Sequence, residues 1–166
     1  KLDREGKDAF DLMDEVEQNL KLRVTPLSFP IGMGYDFQGI YNIWEKNINL
    51  FEGDSRKNIE ETIAFDDINN PELEKIIGEK PANRLREELE LIEEVYPAFS
   101  REEYLAGDLQ PVFFGSALNN FGVRELLDCF VEIAPTPRAK ESDTRLVHPE
   151  EEKLSGFVFK IHANMD

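Results

Sequence analysis

One cysteine, two histidines and one tryptophan among 166 residues exclude several kinds of protein at once. A lone Cys129 builds no disulfide framework and suits a reducing compartment. His148 and His162, far in sequence from Cys129, give no spacing for a zinc site. No run of about 18 apolar residues is present, so no helical membrane span is expected. The opening residues have no signal-peptide pattern, and together these absences predict a cytoplasmic chain without a membrane partner. Positive charge is scarce as well: 19 Lys+Arg stand against 35 Asp+Glu, a formal net charge of -16. With no basic stripe to neutralise phosphates, autonomous nucleic-acid binding is not expected.

What is there supports a packed core. Hydrophobic residues make up 40% of the chain, with 12 Phe, and the length suits one domain or slightly more. The sequence starts at Lys1 rather than Met and stops at Asp166 within what reads as a strand and turn. The expectation is a piece of a longer protein.

Periodicity predicts the elements. Residues 5–22 read as a helix with Phe10, Met13, Val16 and Leu20 on one stripe. Residues 24–30 (VTPLSFP) read as an edge or irregular strand, because two prolines remove ladder donors. A loop from Gly32 to Gly39 leads to Ile40–Phe51, rich in β-branched and aromatic residues and expected to form one or two strands. Another short strand is expected at 62–65. Asn70-Pro71-Glu72 reads as a helix start and Gly78 as its end. A longer helix is expected over 81–96 with Leu85, Leu89, Ile92 and Tyr96 as its stripe. Ser100 and Glu103 form a capping box for one more, stopped by Gly107. Residues 111–115 (PVFFG) read as a buried strand. Residues 123–133 follow as a helix with Val123, Leu126, Leu127, Phe130 and Val131 on a wide apolar stripe. Residues 134–153, proline-rich and charged, have linker composition. Phe157, Phe159 and Ile161 then alternate with Val158, Lys160 and His162 as a strand.

From Glu52 to Gln110 there are 17 Asp+Glu and 7 Lys+Arg, so this stretch supplies -10 of the net charge. An acidic insertion of this kind is either a solvated subdomain or a docking surface for a basic partner.

Two tripeptides bear on chemistry. Lys1-Leu2-Asp3 precedes a helix; Ser116-Ala117-Leu118 lies between an apolar strand and a helix. In α/β sheets, ligands bind beyond the carboxyl ends of strands, at turns of this sort. An Asp carboxylate accepts two hydrogen bonds, which matches the N1–H and exocyclic amino group of guanine and not adenine. A buried carboxylate left unpaired by the wrong base costs on the order of 1–3 kcal/mol or more. The Lys1 stem can cover the base face, the Ala117 N–H can donate to guanine O6, and Ser116 can hold the Asp3 carboxylate.

Lys1-Leu2-Asp3 resembles the end of the Asn-Lys-x-Asp motif of translational GTPases, and Ser116-Ala117-Leu118 their Ser-Ala-x motif. The strings KLDREGKD, VTPLSFPIGMGYDFQGIYN, FFGSALNNFGVRELLD, APTPR and SGFVFKIHANMD resemble the branch that acts at translation termination. His162 departs from that pattern, where Gln is expected. The resemblance implies an α/β fold. Residues 1–30 and 110–134 would be the C-terminal part of a Ras-like P-loop GTPase domain, with an inserted α+β subdomain at 31–109. A linker at 135–153 and the first strand of a β-barrel domain at 154–166 would follow. It implies a ribosome-dependent GTPase that binds GTP and GDP and promotes release of class-I release factors, with the guanine read by Lys1, Asp3, Ser116, Ala117 and Leu118. It leaves open a ribosomal stalk protein as partner of the acidic insertion.

No G-x-x-x-x-G-K-[ST] occurs in the 166 residues. This piece is therefore expected to lack the phosphate cradle, the Mg²⁺ ligands and any catalytic residue, and to be inactive alone. The alternatives are an elongation translocase or ribosome protection GTPase, or a non-enzymatic acidic interaction module. Other features have plainer readings. Gly32 and Gly34 are turn glycines, Cys129 a buried small hydrophobe, and Trp44 a packing residue. Glu87-Glu88 and Glu93-Glu94 are solvent-facing acids.

Overall fold

Asp8 starts the first helix: its side chain accepts a hydrogen bond from the Phe10 N–H at 2.9 Å, and α1 runs over Ala9–Leu20. Lys21, in the left-handed region at φ 56°, ends it. The computed structural model describes residue 2 and residues 4–51, 61–117 and 121–162.

The extended segment after α1 divides into two strands. β1 (Arg23–Pro26) and β2 (Ser28–Ile31) flank Leu27, and each joins a different sheet. β3 (Gly39–Asn42), β4 (Asn47–Leu50) and β5 (Glu61–Ala64) continue from β2 as a four-stranded antiparallel sheet in the order β2-β3-β4-β5. The helices α2 (Glu72–Ile77), α3 (Glu79–Val95) and α4 (Arg101–Ala106) follow. The chain then returns as β6 (Leu109–Val112), parallel to β1 with Thr25 opposite Pro111, and enters α5 (Val123–Ile133). Prolines 26, 30 and 111 all lie in strands that have one neighbour among the described residues, where a missing N–H costs no ladder bond.

Most expected elements are present, with shifted limits. The Asn70 side chain accepts from the Glu72 N–H at 2.9 Å, although the helical cap position itself is Pro71. Ser100 accepts from the Glu103 N–H at 3.3 Å. The Glu103 carboxylate does not close the capping box; it pairs with Arg23. The strand expected at 111–115 lies at 109–112, because pairing with β1 ends at Val112 opposite Pro26.

The main core joins α1 through Met13, β1–β4 through Val24, Phe29, Ile40 and Ile48, and α3 through Leu85 and Ile92. A second cluster packs Leu27, Cys129 and Ile133 with Trp44, Phe99 and Phe113. Trp44 meets Phe99 edge-on at 5.4 Å between ring centres.

Two differences from sequence reasoning stand out. The stripe Leu126, Leu127, Phe130 and Val131 of α5 is exposed, Val131 at 80%; the buried face is Glu125, Cys129 and Ile133. The helix turns that narrower face to the second cluster, and nothing among the described residues covers the other. The distal half of the α1 stripe, Val16 and Leu20, is exposed too. Glu88, expected to face solvent, pairs with Arg84 at 2.8 Å with 17% of its side chain exposed. Burial raises its carboxyl pKa, against the lowering effect of Arg84.

Contacts separate residues 1–134 from residues 135–166. Within the second unit, β7 (Lys140–Glu141) and β8 (Leu146–Val147) form a small hairpin, held by Arg145 on the Glu151 carboxylate at 2.6 and 2.7 Å. The segment expected to be wholly linker thus has local structure. The strand expected at 157–161 is not formed: Phe157, Phe159 and Ile161 are each more than 80% exposed, with no ladder partner among the described residues. An alternating pattern makes a strand only against a neighbour. The fold is mixed α/β, with five α-helices and no closed barrel among the described residues.

Tyr96 stacks on Phe10 with ring centres 6.4 Å apart. Burial first, then Asp14, Glu17 and Asp8, pushes its phenol from 10.0 up to about 12. A raised folded-state pKa gives stability that is complete below pH 10.0 and is lost as pH climbs toward about 12. Denaturant midpoints across that window should fall more steeply for the native chain than for Tyr96→Phe; equal slopes would disprove the assignment.

Candidate functional site

Beyond β6 the chain forms a tight closed turn. The Ser116 N–H donates to the Phe121 carbonyl at 2.9 Å, and the Phe121 N–H to the Ser116 carbonyl at 3.1 Å. Ser116 is 3% exposed, whereas Ala117 is exposed at the surface of the turn. Upstream, the Phe114 N–H donates to the buried Ser28 hydroxyl at 2.8 Å. The residue that opens β2 therefore fixes the approach to this turn, 86 positions later in the chain.

Glycine at both ends is a steric requirement. A Cβ on Gly115 would lie 2.7 Å from the Phe121 carbonyl oxygen, and one on Gly122 2.5 Å from that of Phe114. Gly122 also has φ +69°, where other residues are strained. Between them Phe121 anchors the turn, its ring 5.1 Å from Phe37 and 5.6 Å from Phe51. Phe114 packs edge-on against Phe29 at 5.7 Å. The turn delivers the chain directly into α5, whose first residue is Val123.

Lys1, Asp3 and Leu118, three of the five residues assigned to guanine, lie outside the described residues. Leu2, between the first two, is 7% exposed, and its carbonyl accepts from the Gly34 N–H at 2.9 Å. Leu2, Phe114 and Phe121 all belong to the main core. Apolar neighbours of both tripeptides are thus held by one packed body.

Sequence reasoning missed a second polar centre. Glu125, on the inner face of α5, is 8% exposed. Its Oε1 accepts from the Asn49 side-chain amide at 2.8 Å, and Asn49 Oδ1 accepts from the Thr62 hydroxyl at 2.7 Å. Glu125 stands four residues before Cys129 and eight before Ile133, so it falls on the buried face by helical period. That spacing was the available signal; the richer apolar stripe beside it obscured it.

Among the described residues, no group of three or more His, Cys, Asp or Glu could hold a metal ion. No helix there is long and apolar enough to cross a membrane. No family model matches the chain. A crystal structure of a protein from Thermus thermophilus is similar at 20% identity and a TM-score of 0.48, over 79% of this chain and 21% of that one. The chain spans about a fifth of that protein's length.

Gly122→Ala should cost about 2–3 kcal/mol of folding stability, read as a lower denaturant midpoint. Gly6→Ala, with no atom within 4 Å of the added carbon, should stay within about 0.5 kcal/mol. Equal midpoints for the two variants would contradict the steric account.

Proposed function

We propose that this chain is the guanine-reading part of a ribosome-dependent GTPase of the peptide chain release factor 3 type, with a Ras-like domain completed by residues outside the 166. The observation that carries the proposal is the closed Ser116–Phe121 turn. It follows a parallel strand, leads into a helix, and leaves Ala117 exposed beside a buried Ser116. An exposed backbone N–H next to residues fixed by the Ser116–Phe121 pairing can donate to a carbonyl acceptor, which suits contact with guanine O6.

The chemistry is selection rather than catalysis. In the proposed pocket Asp3 accepts from the guanine N1–H and amino group, the Lys1 stem covers the base, and Leu118 completes the Ser-Ala-x segment. Phosphate and Mg²⁺ contacts, and the attacking water, belong to parts of the domain that this sequence does not include.

The exposed faces of α5 and α1 favour a larger domain over a free-standing acidic module. Leu126, Leu127, Phe130 and Val131, with Leu20 of α1, range from 44% to 80% exposed. Apolar groups of this size on a charged protein are surfaces that a further part of the fold or a partner covers. Class-I release factors and the ribosome are the proposed partners of the whole protein, and a stalk protein that of the acidic insertion.

In the whole protein, Asp3→Asn should lower affinity for GTP and raise it for XTP, each by roughly tenfold or more, the worth of one charged hydrogen bond. Equilibrium titration with both nucleotides checks this, and unchanged affinities would refute the role of Asp3. The isolated chain should show no micromolar affinity for GDP by calorimetry.

A further inference from the structure

The buried Glu125 carboxylate is only half satisfied. Oε1 takes the Asn49 amide hydrogen, while Oε2, fully buried, has no hydrogen-bond partner among the described residues. A buried carboxylate oxygen without a donor is costly, so its persistence points to a donor that arrives from outside. Glu125 lines a cavity of about 330 Å³ together with Glu45, Asn49, Thr62 and Asp128, at the small end of ligand sites. Among the described residues the walls carry three carboxylates against one guanidinium, that of Arg124.

The charge of the described walls favours a cation as occupant. Among the described residues no three acids are grouped to chelate a metal ion, so the fitting ligand is a hydrogen-bond donor, and the carboxylates favour a cationic N–H donor. Glu125 and Asp128 are three residues apart on α5 and share a side of the helix. A planar cation with several N–H groups can reach both. A guanidinium does this with less desolvation than a compact, strongly hydrated ammonium. Two lining residues, Arg124 and Asp128, pair at 3.6 Å with their side chains 83% and 61% exposed. Such a pair contributes little and exchanges readily.

We propose that the cavity between β4, β5 and the first turns of α5 is a binding site for a guanidinium group. The group displaces Arg124 from Asp128 and donates to Glu125 Oε2. The site is independent of nucleotide binding, and its arginine could belong to a partner protein or be free.

The test uses the whole chain, with the Asn49 side-chain amide followed by ¹H–¹⁵N NMR. Acetyl-arginine amide, acetyl-lysine amide and MgCl₂ are titrated separately, and an arginine-containing basic peptide distinguishes a protein-borne source by binding more tightly than the free amide. A saturable shift with acetyl-arginine amide is expected, weaker with the lysine probe. The shift should weaken roughly tenfold or more in Glu125→Gln. Asp128→Asn, with that side chain 61% exposed, should weaken it roughly twofold to fivefold and decides the matter if Glu125→Gln fails to fold. No saturable shift with arginine, equal response to lysine, a response to Mg²⁺ alone, or full-strength binding by Asp128→Asn would each overturn the proposal.

Discussion

The parallel pairing of β1 with β6 is the constraint on which the rest depends. It joins residues 23–26 to residues 109–112, more than eighty positions apart. At its end the chain splits at Leu27, whose N–H donates to the Val112 carbonyl while its own carbonyl accepts from Ile43 and Trp44. One residue therefore ends a parallel ladder and seats the next sheet. Ser28, immediately after it, holds Phe114. Without this junction neither the Ser116–Phe121 turn nor α5 would have a fixed position against the antiparallel sheet.

Polar and apolar contacts secure the same junction by different means. Cys129 and Ile133 pack α5 against Leu27 and Trp44, and burial first, then Glu132 and Glu45, raises the pKa of the Cys129 thiol. Glu125 accepts from the Asn49 side-chain amide of β4, and Asn49 in turn accepts from the Thr62 hydroxyl of β5. A buried charged group adds geometric selectivity more readily than stability, since only one seating of the helix satisfies Asn49. The exposed half of α5 contributes little to this unit. Its apolar residues gain nothing while they are uncovered.

Much of this was legible from residue spacing. The α3 stripe, the Ser100 cap, the position of α5 and the glycine stops follow from local rules, and local rules suffice where an element's own residues decide it. The division of residues 24–30 into strands of two sheets could not be read, because it depends on β6, more than eighty positions on. The inward face of α5 was misjudged because composition favoured Leu126, Leu127, Phe130 and Val131, whereas packing partners favoured Glu125, Cys129 and Ile133. The alternation at 157–161 describes a capacity to pair, and pairing needs a second strand. For the candidate site, the Ser-Ala turn was visible as a motif, but the glycine contacts and the mutual hydrogen bonds that close it are three-dimensional facts.

The proposed function rests on the Ala117 backbone N–H donating to guanine O6. The most direct measurement is the amide resonance of Ala117 in the whole protein, followed by ¹H–¹⁵N NMR as GDP or ADP is added. The account predicts a saturable displacement of that resonance with GDP and none with ADP. A resonance that stays in place with GDP, or moves equally with both, would contradict it.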